Sequence, residues 1–410
     1  MNNYSRRNFL GKLIAIPAGL WLSNYHAFSA SLKNQVRITA IKAIQLDHGD
    51  TCLIKIETDA GLVGYGEAGI YANVARAHIE HLSNVKGIIG GDPLAIERHF
   101  FYMTSIEHPM VPMDLISGID IALWDLAGKI LDQPVYKLLG GPFRDGCPMY
   151  SHGDELENIM DPASCRKWVE YTKQQPEGFT TFKFSMQMFF TVEQPFHPTV
   201  TSAELKKLYQ GLANVREAAG DTFDIAIHCH NEFNTPSAIA IANTGKPLNV
   251  AFIEDPLNVH YSEGWVALKQ GTTVPVLAGE KLRTLRQFKP FLDAQVVDII
   301  HPDIAFAGGF TGCMKIADYA AITRTPVALH NVGTLVKTYA SAHLSLAIQN
   351  FYRSESLLGR KARMVEQMTT GEPPVFRNGI LHVPDKPGLG LSLDESFLKR
   401  HMAKDEPWWG

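Results

Sequence analysis

The feature that most constrains the fold of this chain is a short unit that recurs between about 147 and 360. Each unit has an apolar run, an ionisable residue at its end and a stretch with helical spacing. From His230 onward the ionisable residues are spaced by about 25 residues, the length of a strand and its return helix in a parallel barrel. The repeat therefore predicts a TIM-like barrel. The residues at the predicted strand ends are Lys183, His228, His230, Glu254, Glu280, Asp303, His330 and Glu355.

The apolar runs in the repeat are nearly continuous, which is typical of parallel strands that are covered on both faces. In a parallel barrel the functional side chains gather at the carboxyl ends of the strands. Ionisable residues at the ends of successive units therefore predict one shared site. A doubly wound sheet is disfavoured, because no G-x-G-x-x-G turn follows an early strand.

The residues that precede the repeat predict two further parts of the chain. Residues 36–145 predict an α+β domain, because alternating apolar and polar residues up to about 67 give way to helical spacing. Residues 1–30 place Arg6-Arg7 before a short apolar stretch and a cluster of small residues, and they resemble a twin-arginine signal peptide. This predicts an exported, periplasmic bacterial protein. The alternative is that these residues form an amphipathic first helix of the fold.

The composition excludes several classes of protein. The formal net charge is −4 and no run of five basic residues occurs, so a nucleic-acid partner is not expected. The 5 cysteines include no CxxC pair, which disfavours a disulfide framework and a structural zinc cluster. After the predicted signal peptide no segment is long and apolar enough to cross a membrane, so the mature form is not expected to bind one.

The chain resembles the enolase superfamily, in the branch of mandelate racemase and the sugar-acid dehydratases, over about residues 36–395. The segments that carry the resemblance are TDAGLVGYGEA, GIDIALWDLAGKILDQPVYKLLGG, FIEDPL, PVLAGE, HPDIAFAGGFTGCMKIADYA and ALHN. The resemblance implies a modified (β/α)7β TIM barrel over 147–360 with an N-terminal α+β capping domain over 36–145. It also implies that residues 361–410 return to the cap and that the protein forms a homo-oligomer.

The same resemblance implies that the enzyme removes a weakly acidic proton alpha to a carboxylate, with a divalent cation stabilising the enediolate. Glu254 and Glu280 correspond to two ligands, and His228 stands where the family usually has Asp. The family implies Mg²⁺, but imidazole is a better ligand for Mn²⁺, Zn²⁺ or Fe²⁺. Two alternatives stay open: Glu232 reaches the metal instead, or the site binds metal weakly or has changed function.

Four residues are candidates for the proton transfers and for polarising the substrate. His330 is the expected general base, because Asp303 fixes its tautomer and raises its basicity. His230 is the second candidate acid/base, since residues two apart on a strand point the same way and place it beside the ligand position. Lys183 is expected to bind or polarise the substrate carboxylate.

The remaining candidates concern substrate binding. Ser185 stands where racemases of the family carry a second Lys, which argues against racemisation by a Lys–His pair. Glu355 resembles the family glutamate that donates a hydrogen bond to the substrate carboxylate, so a raised pKa is expected. His152 and Asp154 after the first barrel strand, and His48 in a cap loop, are candidate contacts to substrate hydroxyls.

These residues predict a sugar-acid dehydratase, a carbon–oxygen lyase that removes the C2 proton, eliminates the C3 hydroxyl and yields a 2-keto-3-deoxy acid. A cycloisomerase or epimerase acting on a sugar acid or anhydro-sugar acid is an alternative that uses the same intermediate. A non-catalytic periplasmic sugar-acid binder is a third hypothesis, motivated by His228 and the missing second Lys. The His330–Asp303 pair counts against it, because binding alone does not need a poised base.

Overall fold

The computed structural model describes residues 36–47, 51–84, 87–105, 110–191, 198–230, 233–356, 368–370 and 374–410. The predicted signal peptide at residues 1–30 and the candidate residues His48 and Glu232 lie outside these ranges. The export prediction therefore stays a prediction. Within the described ranges no helix is long and apolar enough to cross a membrane.

The N-terminal part is a three-stranded antiparallel meander covered by helices. Its strands are β1 (Ile38–Gln45), β2 (Cys52–Thr58) and β3 (Val63–Ala68), and its helices are α1 (Ala72–Asn84), α2 (Ile96–Ser105), α3 (Met113–Leu131) and α4 (Val135–Leu138). Helix α3 lies directly on β3, because glycines allow the two backbones to touch. A Cβ atom on Gly66 would lie 2.1 Å from the carbonyl oxygen of Gly118. This meander and its helices are called the cap below.

Eight parallel strands form a closed barrel after the cap. Each strand pairs with the next along the chain, and the last pairs with the first. The strands are β4 (Cys147–His152), β5 (Thr181–Ser185), β6 (Asp224–His228), β7 (Ile253–Glu254), β8 (Val276–Ala278), β9 (Ile299–Ile300), β10 (Val327–Leu329) and β11 (Phe351–Ser356).

One α-helix lies between each pair of successive strands, which gives the expected (β/α)7β order. These helices are α5 (Pro162–Lys173), α6 (Ser202–Ala219), α7 (Thr235–Gly245), α8 (Glu263–Gly271), α9 (Leu285–Asp293), α10 (Gly309–Ile322) and α11 (Leu335–Ala347). Local signals start several of them. Asp161 accepts hydrogen bonds from two backbone N–H groups of α5, and Thr201 and Glu204 form a capping box at α6.

The barrel interior below the strand ends is filled with side chains. Tyr150, Phe252, Leu277 and Ile299 pack there with two small alanines, and a larger apolar core separates the strands from the surrounding helices. The strands are therefore buried on both faces, which explains their continuous apolar runs. Polar side chains are left to the open end of the barrel, where the site lies.

The C-terminal residues return to the cap. The hairpin of β12 (Val375–Arg377) and β13 (Ile380–His382) pairs with β4, and α12 (Glu395–Arg400) follows it. Beyond α12 the backbone N–H of Ala403 donates to the carbonyl of Gln45, and the Glu406 carboxylate pairs with Arg76 of α1. The predicted fold class, a modified TIM barrel with an α+β cap completed by the C-terminal segment, is confirmed.

Candidate active site

The predicted strand-end residues converge because adjacent strands end in register. His152 lies opposite Lys183, Ser185 lies opposite His228, and His228 lies opposite Glu254. The next strands continue this row around the barrel with Glu280, Asp303, His330 and Glu355. The repeat thus brings side chains as distant in sequence as those of His152 and Glu355 into contact at one end of the barrel.

Lys183 lies at the centre of this end and bridges two carboxylates. Its Nζ atom is 2.6 Å from Glu254 Oε1 and 2.7 Å from Glu355 Oε1, and all three side chains are buried. Burial alone would lower the pKa of Lys183, but the carboxylates of Glu254, Glu355 and Glu280 outweigh burial and raise it. Lys183 therefore places a permanent positive charge in the site.

The expectation that Glu355 is protonated is wrong. Burial raises the pKa of Glu355, but the positive charges of Lys183, His330 and His152 hold it well below the usual range. The carboxylate accepts a hydrogen bond from the backbone N–H of Asn331 at 3.2 Å and contacts His152 Nε2. An ionised carboxylate only accepts hydrogen bonds, so Glu355 fixes Lys183 and His152 rather than donating to a substrate.

His228 and His230 lie side by side, but not through the strand alternation that the sequence predicted, because β6 ends at His228. His228 Nε2 is 3.3 Å from Glu254 Oε1 and 3.9 Å from Glu280 Oε2. His230 follows the strand with a left-handed backbone, φ 55°, and the two ring centroids are 3.7 Å apart. Burial lowers the pKa of both imidazoles, and the Lys183 charge lowers both further, so the neutral ring with a free lone pair is favoured.

The residues at this end of the barrel fit a divalent cation. His228 Nε2, Glu254 Oε2 and Glu280 Oε2 are buried without a hydrogen-bond partner among the described residues. Buried polar atoms normally have a partner, so three such atoms in one place indicate a bound group. Among the described residues, two groups of three could hold a metal ion, because their ligand atoms lie within 4.8 Å of one another. The first group is His228, His230 and Glu280. The second group is Glu254, Glu280 and His301.

The predicted pair of Asp303 and His330 is present. Asp303 Oδ2 lies 2.5 Å from His330 Nδ1, and its Oδ1 accepts the backbone N–H of Ala305 at 2.8 Å. The opposite ring atom, His330 Nε2, lies 3.6 Å from both Glu280 Oε2 and Glu355 Oε2. Burial lowers the pKa of His330, but the carboxylates of Glu355, Glu280 and Asp303 raise it above the usual value.

Three buried residues of the site escape the sequence analysis. His301 Nε2 lies 3.7 Å from Glu355 Oε2 and 3.3 Å from the Tyr150 hydroxyl. Lys337 Nζ in α11 lies 2.6 Å from Asp303 Oδ2. Glu67 of the cap accepts hydrogen bonds from the backbone N–H groups of Thr334 and Lys337, at the start of α11. Two sequence signals could have identified two of them: Glu67 is a carboxylate in the apolar strand β3, and His301 directly follows β9.

The remaining candidate residues lie at the edge of the cluster. His152 is bound to Glu355, and its Nδ1 lies 3.6 Å from the carboxylate of Asp154, which is 62% exposed. Ser185 is half-buried at the end of β5. His152 is therefore held by carboxylates, whereas Asp154 lies towards solvent.

The fold and the site together define a capped (β/α)7β barrel with a lysine at one end of its strands, beside carboxylates and imidazoles that could hold a metal ion. Residues 34–140 match the family described as mandelate racemase / muconate lactonizing enzyme, N-terminal domain. Residues 167–397 match the one described as enolase C-terminal domain-like. The chain belongs to the enolase superfamily, in the mandelate racemase/muconate lactonizing enzyme family, and it is a lyase or an isomerase. Enzymes of this superfamily use a divalent metal.

Named relatives and solved structures agree with this assignment. The chain is 32% identical to a D-xylonate dehydratase of Haloferax volcanii over 86% of this chain and 86% of that protein. It is 30% identical to a D-galactonate dehydratase of Xanthomonas oryzae over 87% of this chain and 92% of that protein. A crystal structure of a mandelate racemase/muconate lactonizing enzyme-like protein from Rubrobacter xylanophilus superposes with a TM-score of 0.81 at 26% identity, covering 92% of this chain and 100% of that one.

Proposed function

We propose that this protein is a metal-dependent sugar-acid dehydratase, which removes the C2 proton of a sugar acid and eliminates its C3 hydroxyl. The observation that carries the proposal is the buried pair of Asp303 and His330, whose Nε2 atom faces Glu280 and Glu355. The relatives named as dehydratases of D-xylonate and D-galactonate support it. A sugar-acid binder would need no such buried base.

His330 performs the first proton transfer in this proposal. The Asp303 carboxylate accepts the hydrogen bond of Nδ1–H, which leaves the lone pair on Nε2 to take the proton from C2. The imidazolium that forms is stabilised by the carboxylates of Asp303, Glu280 and Glu355. These charges are present before the reaction, so little reorganisation accompanies the transfer.

The substrate carboxylate gains negative charge as the C2–H bond breaks. Lys183 offers a buried ammonium at that point, already fixed by Glu254 and Glu355. Glu280 and His228, with the second oxygen of Glu254, would hold the cation. A divalent cation bound there supplies positive charge to the carboxylate of the substrate.

The second half of the proposed reaction breaks the C3–O bond. Hydroxide is a poor leaving group, so an imidazolium must protonate it, and water departs. His330 carries the proton that it took from C2, and His230 is the second candidate for this proton transfer. The resulting enol tautomerises to the 2-keto-3-deoxy acid. The site surface is built from charged and imidazole groups, which suits a polyhydroxylated acid better than an aromatic one.

The proposal predicts that His330→Asn abolishes dehydration without unfolding the protein. Asn keeps a hydrogen-bonding group near Asp303 but cannot carry the proton, so turnover should fall by about 10²- to 10⁴-fold. Formation of 2-keto acid is measured with semicarbazide over a library of aldonic and aldaric acids, with each divalent metal in turn. His260→Asn, at an exposed histidine, is the matched control. Full activity of the His330 variant would contradict the assigned role.

A further inference from the structure

We propose that the cation of this protein is bound by two imidazoles, His228 and His230, together with Glu280, and that the site therefore selects a transition metal over Mg²⁺. This inference rests on one part of the proposed function, which is that the site binds a cation. It reassigns His230 from proton transfer to metal binding.

The first argument is the position of the three ligand atoms. One ligand atom from each of His228, His230 and Glu280 lies within 4.8 Å of the other two. His230 has a left-handed backbone, at φ 55°, and the centroid of its ring lies 3.7 Å from that of the His228 ring. Histidine is among the few non-glycine residues enriched in this backbone region, so the sequence tolerates the turn.

The second argument is the bonding of the neighbouring groups. Lys281 Nζ donates to the carbonyl oxygen of His230 at 3.1 Å and lies 3.7 Å from Glu280 Oε1, so it ties the two residues together. Two ligand atoms of the proposed set, Glu280 Oε2 and His228 Nε2, are buried and have no hydrogen-bond partner within the described ranges. A buried lone pair without a partner costs free energy that coordination of a cation would offset.

The third argument separates Glu280 from Glu254. Glu254 Oε1 lies 2.6 Å from the buried ammonium of Lys183, whereas the nearest lysine ammonium to Glu280 in the described part of the chain is that of Lys281, at 3.7 Å. Attraction of an oxygen to an ammonium weakens its donation to a metal, so Glu254 contributes at most its second oxygen. The resulting donor set has two nitrogens and one carboxylate. Mg²⁺ prefers oxygen donors, whereas imidazole suits Mn²⁺, Fe²⁺, Co²⁺ and Zn²⁺.

The nitrogen donors can be counted directly. Metal-stripped full-length protein, prepared with ¹⁵N-labelled histidine and loaded with Mn²⁺ alone, is measured by pulsed electron paramagnetic resonance. We expect hyperfine coupling to two histidine nitrogens, falling to one in His228→Gln and to one in His230→Gln. His260→Gln, at an exposed histidine outside the site, should keep both couplings. The proposal would be overturned if the unaltered protein showed coupling to only one histidine nitrogen and His230→Gln kept that coupling. It would also be overturned if the unaltered protein showed no nitrogen coupling.

Calorimetric titration gives a second readout that needs no turnover. Mn²⁺ should bind at least about tenfold more tightly than Mg²⁺, and His228→Asp should narrow that difference because it replaces a nitrogen with a hard oxygen. Glu280→Gln should weaken Mn²⁺ binding more than Glu254→Gln does. Equal Mn²⁺ and Mg²⁺ affinities, or a stronger effect of Glu254→Gln, would contradict the ligand set. Two nitrogen couplings without dehydration of any sugar acid would leave the metal assignment standing and refute the proposed function.

Discussion

Lys337 and Asp303 form a buried ion pair beneath the imidazole of His330. Their charged atoms are 2.6 Å apart and neither side chain is exposed. Burial raises the pKa of Asp303, but the positive charge of Lys337 and the hydrogen bond with His330 lower it below the usual value. Lys337 thus keeps the carboxylate ionised, and the ionised carboxylate holds the imidazole of His330.

At the residue scale we predict that Lys337→Met destabilises the fold strongly. The change leaves Asp303 as a buried charge with a weaker partner, which costs about 3–5 kcal/mol in comparable cases. Asp303→Asn with Lys337→Met removes both charges, so the double variant should lose less free energy of unfolding than the two single changes summed. Urea unfolding of the four proteins measures this coupling. Additive losses would show that the pair contributes nothing beyond its separate residues.

The site residues that the sequence predicts lie mostly at the end of a barrel strand or a few residues beyond it. His228, Glu254 and Glu280 stand at the end of an apolar run, so the pattern marks them. Lys337 comes from a helix, and its role depends on how α11 is docked, which no local pattern encodes. The ionised state of Glu355 could not be predicted from the sequence, because it depends on the positions of Lys183, His152 and His330 in space.

At the scale of elements, helix α11 of the barrel is joined to the cap at two places. Its N-terminus is capped by Glu67 from the cap strand β3, and this carboxylate also accepts the Thr334 hydroxyl at 2.6 Å. Its C-terminal half contacts the short helix α4, where the Tyr136 backbone N–H donates to His343 Nδ1 at 3.2 Å. The helix therefore positions Lys337 and holds the barrel against the cap.

We predict that His343 makes the fold sensitive to acid. Burial lowers the pKa of His343 from 6.5 to about 4 and outweighs a hydrogen bond with the Leu389 backbone that raises it. The neutral imidazole accepts the Tyr136 backbone N–H. The folded value lies below the unfolded one, so the stabilisation is complete above pH 6.5 and is lost as the pH falls towards 4. The loss across this window is about 3 kcal/mol.

The test compares the free energy of unfolding of the protein and of His343→Asn at several pH values in this window. The Asn Oδ1 atom can accept the same N–H and does not titrate. The free energy of unfolding of the variant should therefore fall less steeply with decreasing pH, by the slope that the uptake of about one proton on unfolding produces. His260→Asn should follow the unaltered protein. Identical slopes for the unaltered protein and the His343 variant would contradict the account.

The succession of elements was largely predictable, but their lengths were not. Continuous apolar runs and the regular spacing of the repeat indicate parallel strands that alternate with helices, and the family resemblance implies the (β/α)7β order. Yet β7 and β9 have two residues each, Ile253–Glu254 and Ile299–Ile300, because their ladders stop early. The chain then leaves the strand and sets His301 and Asp303 on a loop, which explains why His301 was overlooked beside Asp303.

At the scale of the whole molecule, the site is completed by parts that are far apart in sequence. The barrel supplies the clustered carboxylates and imidazoles, and the cap supplies Glu67, which fixes the helix that carries Lys337. The C-terminal residues bind the cap through Glu406 and Arg76. Sequence repeat and resemblance predict this architecture. The contacts between its parts come from tertiary packing and needed the structure.

In the proposed reaction the enzyme eliminates water from a sugar acid after it removes the C2 proton. The most direct test follows the reaction of aldonic acids in deuterated water by nuclear magnetic resonance, with protein that is loaded with Mn²⁺ and then depleted of free metal. If the protein is a dehydratase with His330 as its base, we expect a 2-keto-3-deoxy product that carries solvent deuterium at C3. We expect no such product with His330→Asn. Deuterium at C2 with the C3 hydroxyl retained would show epimerisation instead and would contradict the claim.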